Sequence, residues 1–236
     1  MMKSYLIVIP AYNEEEHIAD VLRYVREIDL PADILVVNDG STDETSAISK
    51  REGVSVLDLP FNIGYGGAIQ TGFRFATEFG YNFVVTLDGD GQHSPDSVNT
   101  LIETMEREKA DVVIGSRFIE GIYRMGIFRK IGVRLFSRIA FFYQGMKFTD
   151  PTSGFQLLNR RIFSYFSEGD NYPLDYPDAN IIISLHKMRF KVVEAPVRMK
   201  EKQGKSMHRG LRPIVYVIRM FLAIIVALLR KENRLS

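Results

Sequence analysis

The first half of the chain contains an apolar run that is followed at once by acidic and amide side chains: Phe83-Val84-Val85-Thr86-Leu87-Asp88-Gly89-Asp90-Gly91-Gln92-His93. The first five residues are typical of a buried strand. An isolated carboxylate at the end of such a strand has a high desolvation cost. A pair of carboxylates that binds Mg²⁺ or Mn²⁺ against a diphosphate is compensated by the charge of the cation. The alternative is a solvated polar turn, because Asp-x-Asp alone is frequent in loops.

Short β-branched runs alternate with helical patterns through the first half of the chain. The pattern predicts strands at 5–9, 34–37, 54–57, 83–87 and 112–114, and helices at 14–28, 43–51, 66–79 and 97–109. We therefore expect a three-layer α/β fold with a predominantly parallel sheet. Ligands of such sheets bind beyond the carboxyl ends of the strands, so the polar residues that follow the strands should line one cleft.

Composition narrows the class of protein. The 236 residues include 30 basic and 29 acidic side chains, so no overall positive field favours nucleic acid as a partner. The absence of cysteine excludes disulfides and cysteine nucleophiles, and it favours a cytoplasmic location. The apolar segment at the N-terminus is too short for a secretory signal, so we expect no export.

Two common nucleotide-binding motifs are missing. The first predicted strand leads into Pro10-Ala11-Tyr12-Asn13-Glu14 without a glycine-rich turn, which argues against a dinucleotide dehydrogenase. Gly204-Lys205-Ser206 lacks the upstream glycine of a P-loop, which argues against an ATPase. Gly64-Tyr65-Gly66-Gly67 precedes a predicted helix, where it either contacts a phosphate or simply caps the helix.

Five segments in order resemble the family 2 glycosyltransferases of the GT-A fold, in particular the dolichyl-phosphate mannose synthase and polyprenyl-phosphate glycosyltransferase branch. The segments are Ile9 to Glu14, Val37 to Asp43, Asp88 to Gln92, Gly115 to Arg117 and Asp150 to Phe155. The resemblance implies an inverting, metal-dependent transfer of a sugar from a UDP- or GDP-sugar. It also implies a catalytic domain over residues 1–210.

The resemblance further implies roles for individual residues. The nucleotide-sugar would be bound by Pro10, Tyr12, Glu14, Asp39, Asp88 and Lys205, and Mg²⁺ or Mn²⁺ by Asp88, Asp90 and Gln92. Asp39 would accept a hydrogen bond from the base. A carboxylate suits an imino N–H, and an aromatic ring such as Tyr12 packs well on a base or ribose. An ordinary half-buried aromatic and a first-turn acidic residue are the alternatives for Tyr12 and Glu14.

Residues 122–145 form a predicted basic amphipathic helix within the catalytic domain. Apolar residues recur at helical spacing, while Lys130, Arg134 and Arg138 make a stripe with four-residue spacing. The segment is either a solvated helix over an ordinary core or an interfacial helix on anionic lipid. In the second case Arg117, Arg129, Arg134 and Arg138 would hold the phosphate of a lipid acceptor.

The C-terminal segment 211–236 is predicted to be an apolar helix that contacts a membrane or a partner. A membrane span needs about 20 apolar residues, and Arg219 interrupts this run. We therefore expect an in-plane or partner-packed helix and a peripheral position on the cytoplasmic membrane face. A separate membrane subunit or a homo-oligomer would strengthen the attachment.

The acceptor determines whether a catalytic base is needed. A polyprenyl phosphate is already largely anionic near neutral pH, since its second pKa is about 6, and arginines suffice to orient it. A hydroxyl of a cell-surface polysaccharide or glycolipid needs a base, for which Asp150 is the first candidate, although it could instead rigidify its turn. We expect Asp90, Asp150 and Arg117 to be catalytic. A non-catalytic lipid-binding protein would not explain the metal and nucleotide motifs.

Overall fold

A mixed sheet of seven strands organises the part of the chain that the structure describes. The computed structural model describes residues 5–28, 30–87, 96–119, 148–174 and 179–198, together with residue 226. Within them, the strands are β1 (Tyr5–Ala11), β2 (Ala32–Asn38), β3 (Ser55–Asp58), β4 (Phe83–Thr86), β5 (Val112–Ser116), β6 (Gln156–Asn159) and β7 (Val192–Pro196). Their order across the sheet is β3-β2-β1-β4-β6-β5-β7.

All these strands run in the same direction except β6, which is antiparallel to both neighbours, β4 and β5. The carboxyl ends of β1, β2, β3, β4, β5 and β7 therefore meet at one edge of the sheet. Because β6 runs the other way, the segment that enters it, residues 149–155, also lies at this edge. The predominantly parallel sheet predicted from the sequence is confirmed, and β6 is an element that the sequence patterns did not reveal.

Helices cover both faces of the sheet. They are α1 (Ile18–Arg26), α2 (Thr45–Arg51), α3 (Tyr65–Glu78), α4 (Asp96–Glu108), α5 (Arg160–Ser167) and α6 (Ala179–Lys187). Helices α3, α5 and α6 share one buried apolar cluster with the sheet, and α1 and α4 share the other. The three-layer α/β architecture is thereby confirmed.

Successive side chains of a strand point to opposite faces of the sheet, so one strand contributes to the apolar clusters on both faces. In β1, Leu6 and Val8 belong to the cluster under α3, while Ile7 and Ile9 belong to the cluster under α1. All four side chains are at least 98% buried. A strand covered on both faces has to be apolar throughout, which is why this strand is a continuous apolar run.

The predicted interfacial segment 122–145 and the predicted C-terminal helix 211–236 lie outside the described residues, apart from Val226. The boundaries proposed for the catalytic domain, 1–210, stay a prediction. In the part of the chain that the structure describes, no helix is both long enough and apolar enough to cross a membrane.

Candidate active site

The loops that follow β1 and β2 are tied together into one unit. Asn13 has a left-handed backbone conformation (φ 54°), and its Oδ1 accepts a hydrogen bond from the backbone N–H of Thr42 at 2.9 Å. The N–H of Asn13 donates to Ser41 Oγ at 2.9 Å, and the N–H of Glu14 donates to Thr45 Oγ1 at 2.8 Å. These reciprocal bonds fix the first two strand ends relative to each other.

This unit brings together four of the residues predicted to bind the nucleotide. Pro10 and Glu14 are partly buried, and the Tyr12 side chain is 48% exposed at the sheet edge. Asp39 lies directly beyond β2, and its N–H donates to the carbonyl oxygen of Ala11 at 2.8 Å. An exposed ring beside a buried carboxylate suits the stacking and hydrogen bonding that a nucleobase requires.

Asp39 also organises a segment that the sequence analysis did not assign to the site. Its carboxylate is buried, with Oδ1 accepting from the N–H of Ile63 at 2.8 Å and Oδ2 from that of Gly64 at 3.0 Å. Gly40 follows with φ 68°, and a Cβ there would lie 2.6 Å from the Asn62 nitrogen. Each carboxylate oxygen can accept a second hydrogen bond, so this structural role leaves capacity for a ligand.

The glycines at the start of α3 serve the local packing. Gly64 precedes the helix with φ 87°, a conformation that favours glycine. A Cβ on Gly66 would lie 2.3 Å from the carbonyl oxygen of Pro173, so this position needs glycine for the close approach of the two segments. The capping and packing role is thus visible in the structure, while the phosphate contact stays a prediction.

A second group of polar residues lies where β5 ends and β6 begins. Arg117 forms a bidentate ion pair with Asp150: Nε donates to Oδ2 at 2.5 Å and Nη2 donates to Oδ1 at 2.7 Å. The Asp150 side chain is fully buried, whereas that of Arg117 is 12% exposed. The two predicted catalytic residues are therefore in direct contact, and the arginine is the one that reaches the surface.

Glu194 completes this group from β7 and was missed in the sequence analysis. Its carboxylate accepts hydrogen bonds from the N–H and hydroxyl of Thr149 and from the N–H of Asp150. Burial is the main cause that raises the pKa of Glu194 above its ordinary value, and the nearby charge of Asp150 adds to it. The signal available in the sequence was an acidic residue inside the apolar run Val192-Val193-Glu194-Ala195-Pro196.

The remaining predicted site residues lie outside the described residues: Asp88, Asp90, Gln92, Arg129, Arg134, Arg138 and Lys205. The chain leads to the first three from Leu87, which is buried and whose N–H donates to the carbonyl oxygen of Val8 at 3.0 Å. Among the described residues, no group of three or more histidine, cysteine, aspartate or glutamate side chains is arranged to hold a metal ion.

Comparison with known proteins identifies the family. The family model for glycosyl transferase family 2 matches residues 6–166, which include the tied loops after β1 and β2 and the Arg117–Asp150 pair. The chain belongs to glycosyltransferase family 2. The resemblance inferred from the five sequence segments is confirmed, and this family 2 glycosyltransferase is an enzyme.

Two curated relatives align with this family 2 glycosyltransferase over most of their length. The UDP-N-acetylglucosamine–dolichyl-phosphate N-acetylglucosaminyltransferase of Methanococcus voltae is 28% identical over 232 residues, covering 90% of this chain and 92% of the relative. The undecaprenyl-phosphate mannosyltransferase of Micrococcus luteus is 30% identical over 222 residues, covering 87% of each chain.

Solved structures of similar fold include glucosyl-3-phosphoglycerate synthase from Mycobacterium tuberculosis in complex with Mn²⁺, UDP-glucose and phosphoglyceric acid. It matches with a TM-score of 0.70 at 20% identity, covering 98% of this chain and 81% of that one. The GT-A architecture expected from the motifs is confirmed at the level of the fold.

Proposed function

We propose that this enzyme transfers a sugar from a UDP- or GDP-sugar to a polyprenyl phosphate at the cytoplasmic face of a membrane. Both curated relatives described above are named for transfer to a dolichyl or undecaprenyl phosphate, and each alignment covers nearly all of both chains. The observation that carries the proposal is the Arg117–Asp150 pair, because it bears directly on the charge of the acceptor.

A buried aspartate beneath an arginine favours an anionic acceptor over a neutral hydroxyl. Asp150 has no exposed surface, and both of its oxygens accept hydrogen bonds from Arg117. A carboxylate so enclosed is poorly placed to remove a proton from a sugar hydroxyl, which would need direct contact. A phosphate monoester needs no such base, since its second pKa is about 6. Arg117 would instead orient the phosphate by charge-assisted hydrogen bonds.

The donor nucleotide would occupy the edge formed by the tied loops after β1 and β2. Pro10, Tyr12, Glu14 and Asp39 would contact the nucleoside, with Asp88 and Lys205 completing the proposed set. The hydrogen bonds of Asn13 with Thr42 and Ser41 support this, because they hold the binding surface in place before the ligand arrives. Such preorganisation lowers the entropic cost of binding.

A divalent metal fits the residues that follow β4. Asp88, Asp90 and Gln92 would hold it, since carboxylate and amide oxygens are the ligands that Mg²⁺ and Mn²⁺ prefer. When bound, the metal would supply electrostatic stabilisation of the nucleoside diphosphate leaving group. Asp90 is catalytic in this proposal through that contact.

The proposal is tested by incubating the purified full chain with Mg²⁺ or Mn²⁺ and a panel of UDP- and GDP-sugars. Three acceptors would be compared in matched vesicles: polyprenyl phosphate, the corresponding polyprenol without phosphate, and a glycan with free hydroxyls. We expect labelled sugar in the lipid fraction only with polyprenyl phosphate. Transfer to the glycan in the absence of any transfer to polyprenyl phosphate would contradict the proposed acceptor.

A further inference from the structure

Glu194 occupies an unusual position for an acidic side chain. It lies inside β7, where its backbone pairs with Ile114 of β5, and its strand neighbours are Val193 and Ala195. The side chain is partly buried, and burial raises the pKa of its carboxyl group. A partly buried carboxylate costs desolvation energy that an apolar residue at the same place would not, so stability alone explains this acidic side chain poorly.

The hydrogen bonds of Glu194 converge on two consecutive peptide groups. Oε1 accepts from the N–H of Asp150 at 2.6 Å and from that of Thr149 at 2.9 Å. Oε2 accepts from the N–H of Thr149 at 2.8 Å and from its hydroxyl group at 2.9 Å. Carboxylate acceptors make the stronger class of hydrogen bond, so the backbone leading into the Asp150 side chain is firmly held.

Thr149 is also tied to β5. Its Oγ1 lies 2.5 Å from Oγ of Ser116, the residue immediately before Arg117. The N–H of Arg117 in turn donates to Asp150 Oδ2 at 3.2 Å, in addition to the two bonds from the guanidinium. The contacts therefore run without a gap from Glu194, through Thr149 and Asp150, to the guanidinium group of Arg117.

We propose that Glu194 is a positioning residue for the acceptor phosphate: it fixes Thr149 and Asp150, and through them the direction in which Arg117 presents its guanidinium group. The role in acceptor binding rests on the function proposed above. In this proposal Glu194 acts through these two residues and not by contact with the substrate. Loss of the Glu194 hydrogen bonds would displace Arg117. Displacements of about 1 Å at a reacting group are enough to change rates by up to about 100-fold.

The first measurement follows Arg117 directly, without substrate. The Nε–H signal of Arg117 is observed by ¹H–¹⁵N NMR on the full chain and assigned by its absence in Arg117→Lys. We expect a slowly exchanging, shifted signal in the native protein, because Nε–H is bonded to Asp150. Glu194→Gln should move or broaden it, whereas Glu108→Gln, which removes an exposed carboxylate beside Lys191, should leave it unchanged.

The second measurement separates positioning from a general loss of folding. We expect Glu194→Gln to raise the KM for polyprenyl phosphate about tenfold while the KM for the nucleotide-sugar changes less than about twofold. A residue that only stabilises the fold would lower kcat through the active fraction and leave both KM values unchanged. Thr149→Val, which removes only the hydroxyl bonds, should act in the same direction more weakly than Glu194→Gln, with Thr149→Ser as its control.

The outcomes are distinguishable. An unchanged Arg117 signal in folded Glu194→Gln overturns the positioning role whatever the acceptor is. If Glu194→Gln does not fold, the same signal in Thr149→Val decides the question. A native enzyme that transfers no sugar to polyprenyl phosphate overturns the proposed function and the acceptor role of Glu194 with it, while the NMR result still reports whether Glu194 orients Arg117.

Discussion

Replacing Asp150 with asparagine should destabilise the protein strongly although the side chain keeps its shape. The change leaves the guanidinium of Arg117 without its charged partner in a place where only 12% of the side chain is exposed. Removing one partner of a buried ion pair costs about 3–5 kcal/mol. Because water still reaches part of Arg117, we expect the lower end, about 3 kcal/mol. For a chain of this length that loss corresponds to a fall in Tm of about 6–12 °C.

The assay is equilibrium unfolding in urea, followed by circular dichroism, for the native protein, Asp150→Asn, Arg117→Met and the double variant. Since the double variant leaves no buried charge unpaired, we expect it to be more stable than the sum of the single effects predicts, by about 1–3 kcal/mol.

Asp20→Asn is the control, because it removes an ion pair with Arg23 in which the side chains are 77% and 64% exposed. It should change the unfolding free energy by less than about 0.5 kcal/mol. An Asp150→Asn protein within about 1 kcal/mol of the native one, or strictly additive single effects, would refute the reasoning.

Four further predictions concern other parts of the molecule. Asp90→Ala should abolish metal-dependent binding of the nucleoside diphosphate, measured by calorimetry with and without Mn²⁺; an unchanged affinity would remove Asp90 from the ligand set. Burial raises the pKa of Glu194, so the folded protein holds this proton more tightly than the unfolded chain does. The native protein therefore loses stability as pH rises above 4.5. The unfolding free energy of the native protein minus that of Glu194→Gln should decrease with pH in this range. Hydrogen bonds, of which the one from Lys50 has the largest effect, lower the pKa of Asp58 to about 2. The contribution of Asp58 to the unfolding free energy is therefore present above about pH 3.8 and is lost as pH falls towards 2. Asp58→Asn should lack this pH-dependent contribution, which solvent exposure keeps below about 1 kcal/mol. Gly66→Ala should cost about 1–3 kcal/mol in unfolding free energy, because the new Cβ meets the backbone of Pro173 at 2.3 Å, and a neutral result would mean that the two segments separate easily.

The sheet was predictable where burial alone determines the sequence. Strands β1, β2 and β4 are covered by helices on both faces, so their central residues form apolar runs, and the polar residues after them mark the active-site edge. Strand β6 gives no comparable signal, since Gln156-Leu157-Leu158-Asn159 is as compatible with a helix start as with a strand. Its place between β4 and β5 follows from pairing with distant strands, which local periodicity does not encode.

The candidate site was predictable in part for a similar reason. Asp39 was located because it follows a predicted strand, and Asp150 because it lies in one of the five segments that resemble the family. The hydrogen-bond partners of Asp39 were not predictable, since the conformation of a loop brings the N–H groups of Ile63 and Gly64 to its carboxylate. Glu194 was missed because no strand was predicted at 192–196, and a single acidic residue ordinarily faces water. Its actual partners, the N–H groups of Thr149 and Asp150, lie more than 40 positions away in the chain.

The antiparallel pairing of β5 with β6 has a consequence for how this enzyme can change. It places Arg117, which follows β5, next to Asp150 in the segment that enters β6, and the two residues are hydrogen-bonded although they lie 33 positions apart in the chain. Joining two residues that are already held together costs little more entropy when the connection is longer, since each doubling of a flexible connection costs only about 0.6 kcal/mol. A protein engineer can therefore vary the chain between Ile119 and Phe148 while keeping Phe148, Thr149 and the strands that lead to Tyr12 and Asp39. Under the function proposed above, the Arg117–Asp150 pair is a splice point at which acceptor preference becomes separable from donor preference.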